Sequence, residues 1–137
     1  MGIGYGFGKI ILVGDQFINF GVPAIVSALD LRTKAVVERS KGKMWIVRDD
    51  RTETPGYKKS KLQQQEESIG RILERMRIKP EKNLIHIVFE GDLIAASGLG
   101  ASAASCVALA RALSMEFNLG LGEEEINDIV EGSQIIS

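Results

Sequence analysis

Residues 97–103, Ser97-Gly98-Leu99-Gly100-Ala101-Ser102-Ala103, hold the types and spacing best suited to chemistry in this chain. Gly98 and Gly100 carry no Cβ, so the backbone there can turn sharply and bring its N–H groups against a ligand. A helix starting directly after them adds unpaired first-turn amides and the positive end of its dipole. Such a turn seats a phosphate. Ser102 sets a hydroxyl where it reaches a phosphate oxygen or the magnesium that accompanies a nucleotide. The Walker A pattern ends in Lys followed by Ser or Thr, and this stretch has no such ending. Taken alone, the same residues also fit a tight turn with Ser102 as a helix N-cap. A second cluster lies near the N-terminus, where Lys9 and Asp15 flank the apolar run Ile10-Ile11-Leu12-Val13 and could face one site.

The elements that must position these residues follow from periodicity. Leu84 to Phe89 is an apolar run leading into the glycine turn, and Cys106, Ala110, Leu113 and Phe117 form one stripe after it. That pattern predicts strand, turn and a helix from about Ser102 to Asn118, closed by Gly120. Cys106 then reads as a small buried hydrophobe, and the lone His86, in mid-strand, is assigned no chemistry. Upstream, Gly2, Gly4, Gly6 and Gly8 punctuate the start, and residues 9–13 read as a strand buried on both faces. Val22 to Leu31 reads as a second strand. Lys34 to Arg39 and Lys43 to Arg48 read as a hairpin about Lys41-Gly42, with its charges in solvent. Residues 49–57, with Pro55 and Gly56, read as a loop. Leu62, Ile69, Ile72, Leu73 and Met76 recur at helical steps and predict an amphipathic helix over 58–76. A last helix starts at the acidic run Glu123-Glu124-Glu125 and stops at Gly132.

Composition narrows the class. At 137 residues and 45% hydrophobic, the chain has apolar material for one core. A net charge of −1 with 6% aromatics excludes a nucleic-acid module built on a basic face with stacking rings. No apolar run approaches the ~20 residues that span a bilayer, and no basic leader precedes an apolar stretch. With Cys106 as the single cysteine, no internal disulfide forms. The expectation is a cytoplasmic protein with neither a membrane nor a nucleic-acid partner.

Two separate stretches coincide with one family. Gly8-Lys9-Ile10-Ile11-Leu12-Val13-Gly14-Asp15-Gln16, followed by Gly21 and Pro23-Ala24-Ile25-Val26, resembles the first motif of the GHMP small-molecule kinases in the mevalonate kinase form. Residues 97–104 resemble that family's phosphate loop, and Pro55-Gly56-Tyr57 and Glu124 to Asn127 are similar to further family wording. The resemblance implies an α+β N-terminal domain, like the second domain of ribosomal protein S5, with a mixed or antiparallel sheet under packed helices. It implies ATP- and magnesium-dependent phosphorylation of a small alcohol, mevalonate first, on the route to isoprenoid precursors. Lys9 matches the active-site lysine, Ser102 the magnesium ligand, and residues 97–103 the cradle for the phosphates; Asp15 and Gln16 stand where the family contacts its alcohol.

Departures accompany the matches. Asp15-Gln16 replaces the usual Glu-His, and Ser133 or Gln134 stands where a carboxylate would also bind magnesium. The Asp that takes the alcohol proton belongs to a Gly-x-Pro-Ser-Gly-x-Asp segment not present here, as does the ferredoxin-like second domain. The expectation is therefore one N-terminal domain over 1–137, inactive alone. The alternatives are a non-catalytic remnant that binds nucleotide or self-associates as a homo-oligomer through the face left uncovered, and a sister GHMP kinase for another alcohol.

Overall fold

The computed structural model describes residues 1–14, 20–41, 45–95, 97 and 99–133; Asp15, Gln16, Gly98 and Gln134 lie outside the described residues. Four strands, β1 (Gly2–Val13), β2 (Ile25–Arg39), β3 (Ile46–Asp49) and β4 (Ile85–Gly91), form one sheet in the order β1-β2-β4-β3. The pairs β1/β2 and β2/β4 are antiparallel, and β3 runs parallel to β4. Three helices occur among the described residues, α1 (Tyr57–Arg75), α2 (Ala101–Glu116) and α3 (Glu123–Glu131). The fold is thus the mixed-sheet α+β arrangement that the resemblance implies. No helix among the described residues is long and apolar enough to cross a membrane.

Side chains alternate across a strand, so one face of the sheet can be dry and the other wet. Ala35 and Val37 of β2 and Ile85, Ile87 and Phe89 of β4 are buried, while the residues between them are half-buried or exposed. The dry face meets Ile69, Ile72 and Leu73 of α1, Leu109 and Leu113 of α2, and Ile126 and Val130 of α3 in a single core. That stripe on α1 is the one the periodicity predicts except at Leu62, which is 53% exposed and lies off the core.

The reading of the elements needs three corrections. β1 begins at Gly2, and its 9–13 end is open rather than buried on both faces: Leu12 is 59% and Val13 62% exposed. Gly2, Gly4, Gly6 and Gly8 are buried: the backbone of α2 lies directly on the first three, and Gly8 faces the Leu93 side chain and the Leu99 carbonyl. A Cβ at Gly2, Gly4 or Gly6 would run into the carbonyl of Ala112, Ala108 or Ala104 respectively. Glycine weakens a strand by propensity, so a local reading discounts the residues that this contact requires. The second correction concerns the hairpin. Residues 34–39 are the end of the 15-residue β2, whose partner there is β4 (Thr33↔Gly91 through Arg39↔Ile85), and β3 joins the far side of β4. Third, α2 starts at Ala101 instead of Ser102, since Gly100, at φ 77°, supplies the cap position.

Candidate functional site

β4 ends at Gly91, whose φ of 127° turns the chain off the sheet. Leu93 then donates its N–H to the Arg32 carbonyl at 3.3 Å and inserts its side chain into a small apolar cluster with Ala101 and Ala104, against which Leu99 packs. This plug holds the glycine turn down at both ends. The turn is also tied to β1: the Lys9 N–H donates to the Leu99 carbonyl at 2.8 Å. Gly100 sits directly beneath the Lys9 side chain, whose Cγ lies 3.0 Å and Cε 3.4 Å from where a Cβ at position 100 would stand. Two stretches far apart in the chain therefore meet at one point.

Seven of the ten residues singled out in the sequence are described: Lys9, Ser97, Leu99, Gly100, Ala101, Ser102 and Ala103. Lys9 makes no ion pair among the described residues. Ser102 is exposed at the start of α2, and among the described residues no side chain caps that helix or places an acid in its first turn. Its first amides and positive dipole end are thus open to an anion, with a cation alongside. Ser97 differs: its hydroxyl donates to the Ile94 carbonyl at 2.6 Å and so shapes the turn. Ser133 is fully buried, and its hydroxyl donates to the Ile129 carbonyl at 2.6 Å. Asp15, Gln16 and Gly98 lie outside the described residues.

These donors fit a polyphosphate. For magnesium, Ser102 offers one oxygen, and no group of three His, Cys, Asp or Glu that could hold a metal occurs among the described residues. A metal at Ser102 would take its remaining ligands from phosphate oxygens and water, as magnesium commonly does.

A pocket runs from Ser102 between the two long helices, lined by Gln65 and Ile69 of α1, Cys106 of α2, and Asp49 and Arg51. Burial pushes the Cys106 thiol up to about 11, so at neutral pH it is protonated and is no nucleophile. Asp49 and Arg51 form a buried bidentate pair: Arg51 Nε donates to Asp49 Oδ1 at 2.9 Å and Nη2 to Oδ2 at 2.6 Å. Gln65 adds a bond to Oδ2 at 3.0 Å, and the guanidinium lies 5.3 Å from the centroid of the Phe89 ring. Sequence reasoning missed this group, because opposite charges two residues apart in a polar stretch look the same whether solvated or buried.

Burial alone would raise the Asp49 carboxyl, but the bonds and charge of Arg51 and the Gln65 amide outweigh it and hold it below the usual 3.8. The stabilisation it carries is complete above that value and is lost as pH falls through the lower folded-state pKa. Thermal melts between pH 7 and pH 3 should therefore show a steeper fall in Tm below about pH 4 for the native chain than for Asp49→Asn. Parallel curves would contradict the assignment.

Comparison with known proteins bears on the same turn and helix. Residues 67–136, slightly more than half of the chain, match the family model described as GHMP kinases N terminal domain. The mevalonate kinase of Archaeoglobus fulgidus is 30% identical over 128 residues, which cover 93% of this chain and 43% of that protein. That of Thermococcus sibiricus is 33% identical over 135 residues, covering 86% and 40%. Among solved structures, mevalonate kinase of L. major, crystallised with R-mevalonate, superposes with a TM-score of 0.85 at 29% identity over 100% of this chain and 43% of its own. The chain thus spans less than half the length of these relatives.

Proposed function

The chain belongs to the GHMP kinases through their N-terminal domain, and from that membership we propose that it is the nucleotide-binding part of an ATP-dependent, magnesium-assisted small-alcohol kinase acting on mevalonate in the cytoplasm. Phosphoryl transfer asks a protein chiefly for positioning and for neutralisation of charge on the phosphate oxygens. The amides of residues 97–103 and the positive end of α2 take the polyphosphate, and the Ser102 hydroxyl reaches an oxygen or its metal. Lys9, standing across the turn, stabilises charge at the reacting alcohol or terminal phosphate, and Asp15 and Gln16 meet the alcohol. When bound, magnesium offsets charge on the phosphates. The pocket continuing from Ser102 offers the rest of the nucleotide a mixed lining, with Ile69, Ile72 and Leu109 beside Lys61, Gln64 and Ser68.

One observation carries this reading: the stem of Lys9 crosses Gly100 while its N–H holds the Leu99 carbonyl, so a cation and an uncapped helix start share one small site. By itself the chain is expected to bind and not to turn over, because the family's proton-accepting Asp lies in a segment outside this sequence. Calorimetric titration with magnesium ATP should give a measurable affinity. Lys9→Met should weaken it about tenfold, the scale of one charge-assisted hydrogen bond, and Ser102→Ala by less. Absence of binding by the native chain at millimolar nucleotide would overturn the proposal.

A further inference from the structure

The strap formed by residues 50–54 runs alongside 89–95 and extends the parallel β3/β4 pairing beyond the last strand residue. The Asp50 N–H donates to the Phe89 carbonyl at 2.8 Å, the Ala95 N–H to the Thr52 carbonyl at 3.1 Å, and Glu53 bridges Ala95. Ala95 is the last residue described before Ser97, so the strap grips the limb by which the chain enters the glycine turn.

The strap is itself anchored by charge. Arg51 folds back on Asp49, and their side chains are only 6% and 10% exposed. Lys58, in the first turn of α1, donates its ammonium to the carbonyls of both Asp49 and Arg51, and Glu53 accepts the Lys58 N–H. Gln65, two turns further along α1, holds Asp49 from the other side. A buried ion pair gains little net stability, since desolvation offsets most of the attraction. What such a pair does supply is a fixed geometry, with every donor and acceptor specifying one arrangement of the strap.

We propose that the Asp49–Arg51 pair, with Lys58 and Gln65, is a positioning element that fixes the entering limb of the glycine turn for a polyphosphate ligand. This rests on the nucleotide reading above and adds to it four residues that touch no phosphate. Their action passes from α1 through the strap to Ala95, and from Ala95 to the turn.

Asp49→Asn separates positioning from direct electrostatics. The substitution removes a negative charge from the pocket wall, which by Coulomb attraction alone would tighten an anion. Positioning gives the opposite sign. In the full chain, affinity for inorganic triphosphate should fall at least fivefold, and the Ala95 amide should exchange its hydrogen at least tenfold faster while Leu109 in α2 stays protected. Unchanged or tighter triphosphate binding overturns the proposal, as does weaker binding with Ala95 still protected. If the native chain binds no triphosphate, the nucleotide reading fails, and the exchange at Ala95 alone then decides whether the pair holds the turn. Should Asp49→Asn not fold, Gln65→Leu removes one bond to Asp49 with no change of charge. It should weaken triphosphate two- to threefold and speed Ala95 exchange; no change in either sinks the inference.

Discussion

Gly6→Val should leave the chain without a cooperative fold. Along β1 the buried positions recur every two residues, and on α2 the carbonyls that face them recur every four: Ala104, Ala108 and Ala112 lie over Gly6, Gly4 and Gly2. Two strand residues advance about 6.7 Å and four helical residues about 6 Å, so the two repeats stay in step over the whole contact. Backbone then rests on backbone with no side chain between. A Cβ at Gly6 would overlap the Ala104 carbonyl, and no rotamer change relieves it because the obstacle is the helix itself. Overpacking a core costs about 1–3 kcal/mol even where neighbours can shift. Here relief requires lifting α2 off the sheet, against a total stability of about 5–15 kcal/mol for a typical domain.

Far-UV circular dichroism and a thermal melt check this directly, and a Gly6→Val chain that melts like the native one would refute the contact. Gly4→Ala should lower stability severely for the same reason. Gly70 supplies the contrast: it lies inside α1, and nothing stands within 4 Å of where its Cβ would be. Gly70→Ala should therefore stabilise by about 0.5–1 kcal/mol through helix propensity.

The second large effect is expected at Gly100. With φ at 77°, this residue occupies the left-handed region, which costs a residue with a Cβ about 1–2 kcal/mol and a β-branched one more. A side chain there would also press on the Lys9 stem, 3.0 Å away at Cγ. Gly100→Val should thus displace the amine and re-aim the first amides of α2 together. Binding of magnesium ATP should drop at least tenfold, with helix content close to native and a Tm lowered by several degrees. Gly100→Ala should fall between the two. Native affinity in Gly100→Val would mean that the phosphates do not sit at this turn.

What could be read without the structure, and what could not, divides along physical lines. α1 was visible because Ile69, Ile72 and Leu73 repeat at the helical period. β4 was visible as an apolar run ending in a turn. The start of α2 was displaced by one residue, since a hydroxyl at 102 and a left-handed glycine at 100 both announce a helix. Residues 97–103 could be singled out because glycines ahead of a helix have a specific backbone consequence, and Lys9 because the stretch around it resembles the family's first motif.

By itself, then, the sequence determined the local elements, the phosphate-type turn and the family wording, all of which depend on residues near one another in the chain. Tertiary structure alone decided the rest. It showed that Gly2, Gly4 and Gly6 are a seat for α2, that β2 pairs with β4 while β3 lies parallel to it, and that Lys9 crosses Gly100. It also showed that Asp49 and Arg51 are buried against each other. Periodicity reports which face of an element is apolar, whereas strand partners, close backbone approach and the desolvation of a charge depend on what the rest of the chain brings to that face.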